Sequence, residues 1–336
     1  MNAVVENISS AFSGWSGRTF IWLIKRELWE HRSRFLITPL VIGGVIILGV
    51  LYALTIATQF HGSHISINGM AGFESGGASP TIHSAAQYAV YLIFSVPFLL
   101  VTSLVTGYYA LDALYADRRD RSILFWKSLP ISDLETVVSK LTIASIVAPI
   151  IAMAVSIVTQ VVVFVVISIA LVTHGHSAAP LWVQIPILEN IAMVLYALVV
   201  MALWYLPVVA WFLLASAWAQ RAVFLWATVP IGVVWFLERQ TLGTNYVGEL
   251  LRSRLGGGFK LAITTSRELF ENSGIHMAGV AEQTVRGGSQ LATSLHFSDV
   301  ITPGVFFSSP QLWLGLLAAI ALVALTVWVR RYRDPA

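Results

Sequence analysis

Leu141–Thr173 reads LTIASIVAPIIAMAVSIVTQVVVFVVISIALVT, an unbroken stretch without a single Asp, Glu, Lys or Arg. As an α-helix rising ~1.5 Å per residue it extends roughly 50 Å, well beyond the ~30 Å hydrocarbon core of a bilayer. A helix that is apolar on every face cannot sit on the surface of a soluble domain, whereas lipid accepts all of its faces at once. The stretch therefore predicts a membrane span that tilts or projects beyond the bilayer.

Five further stretches qualify on length and apolarity: Leu36–Thr58, Gln87–Leu111, Ile187–Ser216, Ala222–Glu238 and Gln311–Val329. The predicted fold is an all-α membrane protein of six transmembrane helices. Composition agrees, since only 11% of the 336 residues are charged, against roughly 25% in soluble domains. Pro97, Pro149, Pro207 and Pro230 fall inside spans, where neighbouring helices can satisfy the freed carbonyls. Residues before Ser16 lack the basic-then-apolar plan of a cleaved leader, so the first span is expected to be retained. The chain has no cysteine, which excludes disulfides, thiol nucleophiles and thiolate metal sites.

Basic residues orient the spans. Arg18, Lys25, Arg26, Arg32 and Arg34 precede the first, and Arg118, Arg119, Arg121, Lys127 and Lys140 lie between the second and third. Arg221 marks the turn between the fourth and fifth, and Arg330, Arg331 and Arg333 follow the sixth. Loops 59–86 and 174–186 contain no Lys or Arg. By the positive-inside rule both termini are expected in the cytoplasm of a bacterial inner (plasma) membrane. The predicted organisation is a cytoplasmic N-terminus over 1–35, a transmembrane domain over 36–329 and a cytoplasmic tail over 330–336. An outer segment occupies 239–310.

The fifth stretch has 17 residues, about 25 Å of helix and short of a ~30 Å core. Beyond it, Val247, Leu250, Leu251 and Leu255 recur at helical spacing before Gly256, and similar patterns follow Phe259 and Met277. Two or three short amphipathic helices on or partly within the outer face are expected, with a self-packed outer cap as the alternative.

Two cytoplasmic elements stand out. In Arg18–Phe35 (RTFIWLIKRELWEHRSRF) the residues Phe20, Ile24, Leu28 and Phe35 fall near one helical face. Lys25, Glu27 and Arg32 are assigned to the other, with Arg26 alongside them and Trp22 and Trp29 at headgroup depth. This predicts a basic amphipathic helix in the interface, either an anchor or a surface that a soluble partner pushes.

The second element is Asp112–Lys140, DALYADRRDRSILFWKSLPISDLETVVSK. A charge knot from Asp117 to Arg121 runs into Ile123, Leu124, Phe125 and Trp126, then into Ser128-Leu129-Pro130-Ile131-Ser132. Pro130 ends one helix and Ser132 is placed to cap the next, with Asp133 and Glu135 in the first turn. A solvated loop has no need of an apolar run beside a charge knot; such a run touches the membrane or fills a groove in another protein.

This loop resembles the signature of the ABC-2 type transporter permeases. There an acidic–basic pair after the second span leads through a Ser/Thr-hydrophobic run to a Leu-Pro-Ile-Ser turn, then to a Lys at the mouth of the third. The matching positions are Asp117-Arg118, Ser122-Ile123-Leu124, Leu129-Pro130-Ile131-Ser132 and Lys140, while Asp117 and Arg121 depart from the family's Glu and Gly. The resemblance implies a permease subunit of an ATP-driven exporter, dimeric with an identical copy or a paralogue. It also implies that Asp117, Arg118, Arg121, Ile123–Trp126 and Leu129–Ser132 form a coupling element docking on separate ABC ATPase subunits. The 239–310 segment would correspond to the family's re-entrant helices.

No Walker A pattern occurs, since Gly256-Gly257-Gly258-Phe259-Lys260 has the wrong spacing, and there is no H-E-x-x-H. Gly175-His176-Ser177-Ala178-Ala179 lacks the last glycine of a nucleophile elbow. No catalytic, cofactor-binding or metal-ligating residue is therefore assigned to this chain. ATP and Mg are expected on the partner, membrane lipids are the other expected contact, and nucleic acid is not expected.

Asp112, Glu189 and Glu238 sit at span ends, which argues against a carrier driven by ion uptake at mid-membrane. Uncharged polar residues inside spans (Thr55, Thr58, Ser156, Thr159, Gln160, Asn190 and Tyr205) are candidates to line a path or to hydrogen-bond between helices. The pairs His61/His64 and His174/His176 have spacings suited to a transition metal but lack carboxylate companions beyond Glu74. Two other classes stay open: a membrane enzyme acting on lipids at the outer face, and a non-transporting anchor for a cytoplasmic ATPase.

Overall fold

The computed structural model describes residues 17–59, 80–120, 131–175, 177–179, 182, 187–258 and 301–332. Every described element is helical. Helix α1 (Gly17–Glu30) leads through a π-helical turn (Ser33–Ile37) into α2 (Thr38–Gln59), followed by α3 (Pro80–Arg119). Helix α4 (Asp133–Thr142) continues through a second π turn (Ile143–Val147) into α5 (Ala148–Thr173), and α6 spans Ile187–Trp218. Then come α7 (Val223–Thr241), α8 (Tyr246–Arg252) with a third π turn (Ser253–Gly257), α9 (Pro303–Ser308) and α10 (Pro310–Tyr332).

Among the described residues, five helices are long and apolar enough to cross a membrane: Ser33–Ile56, Phe94–Arg119, Asp133–Thr173, Ile191–Trp218 and Pro310–Tyr332. The predicted fifth stretch does form a helix, α7, but is not among them. Its last turn is Glu238-Arg239-Gln240-Thr241, so the apolar part ends at Leu237 and covers only about 22 Å.

Helix α6 is the hub. It packs along α10 and α3, while α2 and α3 flank α5, and α4 contacts α1 and α10. At one end of the bundle Phe35, Tyr109, Leu114, Val137, Ile143 and Leu213 form the main apolar core, with Ile24 and Leu28 of α1 packed against it. A second core joins Val200 and Trp204 of α6 to Phe306 of α9 and Leu312 of α10. Close approach depends on small residues: a Cβ at Gly43 would stand 2.5 Å from the Thr159 hydroxyl oxygen, so α2 and α5 touch there through glycine. Outward faces carry exposed Leu40, Val45 and Leu48 on α2, and Leu314, Leu317 and Ile320 on α10. Lipid tails suit such faces.

The joint between α6 and α7 is tight, and Ala222 adopts a left-handed φ of 49° to make it. Glu238 closes α7 by turning its carboxylate onto α8, accepting from the backbone N–H groups of Tyr246 and Val247 and from the Thr244 hydroxyl. A short helix, α8 with its π turn, does form over the first of the patterns expected after the fifth stretch. It lies against α6: the Trp204 indole donates to the Ser253 and Arg254 carbonyls, and the Tyr205 hydroxyl donates to Leu255 O at 2.9 Å. Arg254 stacks 4.7 Å above the Trp204 ring and donates to the Gln311 carbonyl at the start of α10. The remaining predicted helices of this segment lie outside the described residues.

Candidate functional site

The chain enters α4 through a reciprocal cap. Ser132 Oγ accepts from the Glu135 N–H at 3.1 Å, while the Glu135 carboxylate accepts from the Ser132 N–H at 3.1 Å. The Ser132 cap is the one expected from sequence, and the structure adds Glu135, expected only to suit the helix dipole, as the second half of a capping box. Because Glu135 is used there, Asp133 is free to face α10, where Arg330 Nε donates to Asp133 Oδ1 at 2.8 Å.

Two turns further along, Lys140 points inward. Its Nζ lies 2.9 Å from Glu27 Oε1 of α1 and 3.5 Å from Asp117 Oδ1 of α3. Arg330 Nη1 lies 3.3 Å from the other oxygen of Asp117. The Tyr109 hydroxyl donates to Glu27 Oε1 at 2.9 Å, and Tyr109 and Asp117 share one face of α3 at i, i+8. The result is a line of alternating charge, Glu27–Lys140–Asp117–Arg330–Asp133, drawn from α1, α4, α3 and α10. The Lys140 and Arg330 side chains are only 5% and 4% exposed. Here the ions substitute for water as each other's solvent.

Three carboxylates face two cations, and His31 Nδ1 stands 3.8 Å from Glu27 Oε1. Burial pushes the Glu27 carboxyl upward. The Lys140 ammonium, with smaller help from His31 and the Tyr109 hydroxyl, outweighs this and holds it below the ordinary carboxylate value. Glu27 is therefore ionised at neutral pH.

Beside this line lies a second clamp. Arg118 Nη2 donates to the Ser216 and Ala219 carbonyls, both at 2.6 Å, at the C-terminal end of α6. That satisfies carbonyls a helix end leaves without intrahelical partners. In return Ser216 Oγ accepts from the Leu114 and Tyr115 N–H groups. Arg34 pairs with Asp112 at 3.3 Å and lies 5.2 Å above the Tyr108 ring. Residues 121–130 thus leave α3 beside Asp117 and Arg118 and rejoin at Ser132, with both attachment points tied into the bundle.

Of the residues singled out from the sequence, Asp117, Arg118, Ile131, Ser132 and Glu27 meet at this end. Arg121, Ile123, Leu124, Phe125, Trp126, Leu129 and Pro130 lie outside the described residues. Trp29 is 71% exposed, and Arg26 pairs with Glu30 across a surface turn at 3.6 Å. Lys25 lies 5.6 Å from the centre of the Trp22 ring, so these residues keep the outward face expected of them. Glu27 does not. Assigned to the polar face, it is instead buried, because Ile24, Glu27, Leu28 and His31 share the i, i+3, i+4, i+7 stripe that α1 turns toward the bundle. Arg330, assigned to a tail, is within α10, which runs to Tyr332.

The polar span residues bind within the bundle. Gln160 Nε2 donates to Ser95 Oγ of α3 at 3.0 Å and to Ser156 Oγ at 3.3 Å, and Thr159 returns its hydroxyl to the Val155 carbonyl. All three residues of α5 are buried; the Gln160–Ser95 bond joins two helices, while the other two bonds stay within α5. Thr55 donates to the Tyr52 carbonyl on an exposed face of α2, and the side chain of Thr58 lies outside the described residues.

Tyr109 and His31 were not singled out by sequence, Asp133 was named only as a first-turn acid suited to the helix dipole, and Lys140 only as part of a motif. The signal available was sign alternation at helix ends that share one side of the membrane. Comparison with protein-family models, with curated proteins and with solved structures finds no match to this chain.

Proposed function

We propose that this chain is the membrane-spanning permease subunit of an ATP-driven exporter of the ABC-2 type, working as a dimer with ATPase subunits on separate chains. The observation that carries the reading is the buried charge line. It binds helix α1, the end of α3, the start of α4 and the end of α10 into one unit, and residues 121–130, which lie outside the described residues, connect its α3 and α4 members in sequence. A push on that loop reaches α3 through Asp117 and Arg118, and α4 through Ser132. It passes to α10 through Arg330 and to α1 through Lys140. A non-coupled anchor has no need to carry a load across four helices, and a lipid-processing enzyme would place its chemistry elsewhere.

Parity of crossings supports the six-span form. The start of α2, the end of α3, the start of α4 and the end of α10 share the charge layer, and Arg118 brings the end of α6 to the same side. Since α6 and α10 both run toward this side, the chain between them has to return to the far side, and α7 is the described helix available for that crossing. Its short apolar length fits a bilayer thinned locally, or α8 dipping toward Trp204 in a re-entrant manner. Arg18, Lys25, Arg26, Arg34, Arg118, Arg119 and Arg331 belong to the helix ends that carry the charge line, which supports reading this end as the cytoplasmic side.

The test is co-purification from native membranes. The wild-type chain brings down a nucleotide-hydrolysing subunit in stoichiometric amount, and Leu124→Asp or Phe125→Asp loses that subunit while the chain keeps its thermal stability. Undiminished association in both variants, or no ATPase with the wild type, overturns the proposal.

A further inference from the structure

Between α3, the second π turn and α6 lies a small half-open cleft of about 60 Å³. Its walls are apolar (Pro149, Met201, Val208 and Phe212 among them) and carry the hydroxyls of Ser103, Thr106, Ser145 and Tyr205. Among the described residues, no Asp, Glu, Lys, Arg or His lines it.

Ser145 is the anomaly. Hydroxyls inside these helices return to a carbonyl one turn back: Ser103 to Leu99, Thr106 to Thr102, Thr142 to Val138, Thr326 to Leu322. Ser145 Oγ is buried, the residue being only 6% exposed, and has no hydrogen-bond partner among the described residues. Leaving a hydroxyl unpaired in an apolar setting costs free energy, and membrane helices are free to place Ala there instead. The residue sits in a π turn, Ile143–Val147, a conformation found frequently at functional sites.

Depth narrows the ligand. Ser145 follows Lys140 by about 7 Å of helix, and Tyr205 precedes Ser216 by about 16 Å. The cleft therefore begins one turn above the charge layer and runs toward mid-membrane. A ligand there has an apolar body against Met201, Val208 and Phe212, and a hydroxyl or carbonyl at Ser145. A charged head has no counter-ion among these walls and would be desolvated without compensation.

We infer that this cleft is a binding site for an uncharged amphiphile, a molecule of the hydroxyl- or ester-headed lipid class, held by Ser145. The inference does not depend on the exporter reading. The probe is a diazirine-bearing monoacylglycerol, photolysed with the purified full chain in detergent micelles. Labelling is expected to saturate and to map to α3, α5 and α6. Unlabelled monoacylglycerol should compete with it, while a lysophosphatidic acid of equal chain length should not.

Ser145→Ala should reduce labelling at least five-fold with an unchanged or higher Tm, because the hydroxyl makes no bond among the described residues. Ser145→Phe, which fills the space, should abolish labelling; if it fails to fold, Ser145→Ala decides alone. Labelling that never saturates, is equal in Ser145→Ala, or is displaced equally by the phosphate-headed lipid overturns the inference. So does efficient disulfide formation between copies carrying Ser145→Cys, which would make the cleft an interface with a second chain.

Discussion

Lys140 has Glu27 on one side and Asp117 on the other, with almost no contact with solvent. Removing a cation from such a setting leaves two carboxylates desolvated and facing each other, a loss of about 3–5 kcal/mol for a buried pair broken on one side. Lys140→Met is therefore expected to lower thermal stability in detergent by several degrees or to prevent folding. The double variant Glu27→Gln with Lys140→Met should recover a large part of the loss, because it removes both unpaired charges together. Additive losses in that double-mutant cycle would show that the pair is not coupled.

Glu27 also gives the protein a pH dependence with a defined sign. Its carboxyl is held below the ordinary value by Lys140, His31 and Tyr109, so the folded state binds that proton less readily than the unfolded chain. The stabilisation is fully present above the unfolded carboxylate pKa of about 4.3 and is lost as pH falls through the lower folded value. Unfolding midpoints measured from pH 7 to pH 3 should therefore drop on the acid side, and Glu27→Gln should flatten that limb. An acid limb identical in the variant would assign the pH sensitivity to other groups.

At the scale of the element, two local devices are testable. Ser132 and Glu135 cap α4 reciprocally, so Ser132→Ala should cost about 1 kcal/mol. The same change should loosen the point where residues 121–130 rejoin the bundle, read as faster amide exchange over 131–136. Ala222 holds a left-handed φ in the α6–α7 turn, a conformation costing an L-residue roughly 1–2 kcal/mol that glycine avoids. Ala222→Gly should raise the unfolding midpoint by a few degrees, and a lower midpoint would contradict the strain.

Helices and caps were the legible part of this sequence. Apolar length alone located the helices that became α2, α3, α5, α6 and α10, since a run such as Leu141–Thr173 has no other stable environment. Ser132 was legible because capping is a local grammar. The charge line was not, because its members lie as far apart as Glu27 and Arg330, and only the packing of α1, α3, α4 and α10 brings them together. Glu27 shows the limit most plainly. Charge suggested the solvent face, while its place one residue before Leu28 and three after Ile24 put it on the packed stripe.

For the whole molecule, the arrangement is a bundle with two unlike ends. One holds the charge line, the Arg118 clamp and the main core, whereas the other carries α8 and α9 against Trp204 and Gln311. Breaking the line should uncouple the ends without dismantling the spans. In proteoliposomes containing both subunits, Arg330→Gln is expected to leave ATP hydrolysis within about two-fold while reducing ATP-driven efflux of a fluorescent lipid reporter at least ten-fold. Equal loss of both activities would mean that Arg330 serves stability alone.

On the proposed exporter reading, residues 121–130 are gripped by an ATP-hydrolysing partner. Trp126→Cys in this cysteine-free chain, carrying a photoreactive maleimide and irradiated in inside-out vesicles, reads the contact directly. The account predicts one dominant cross-link, to a nucleotide-binding subunit, stronger with ATP present than without. Cross-links to lipid only, or labelling of that cysteine by an impermeant maleimide from the periplasmic side, would contradict it.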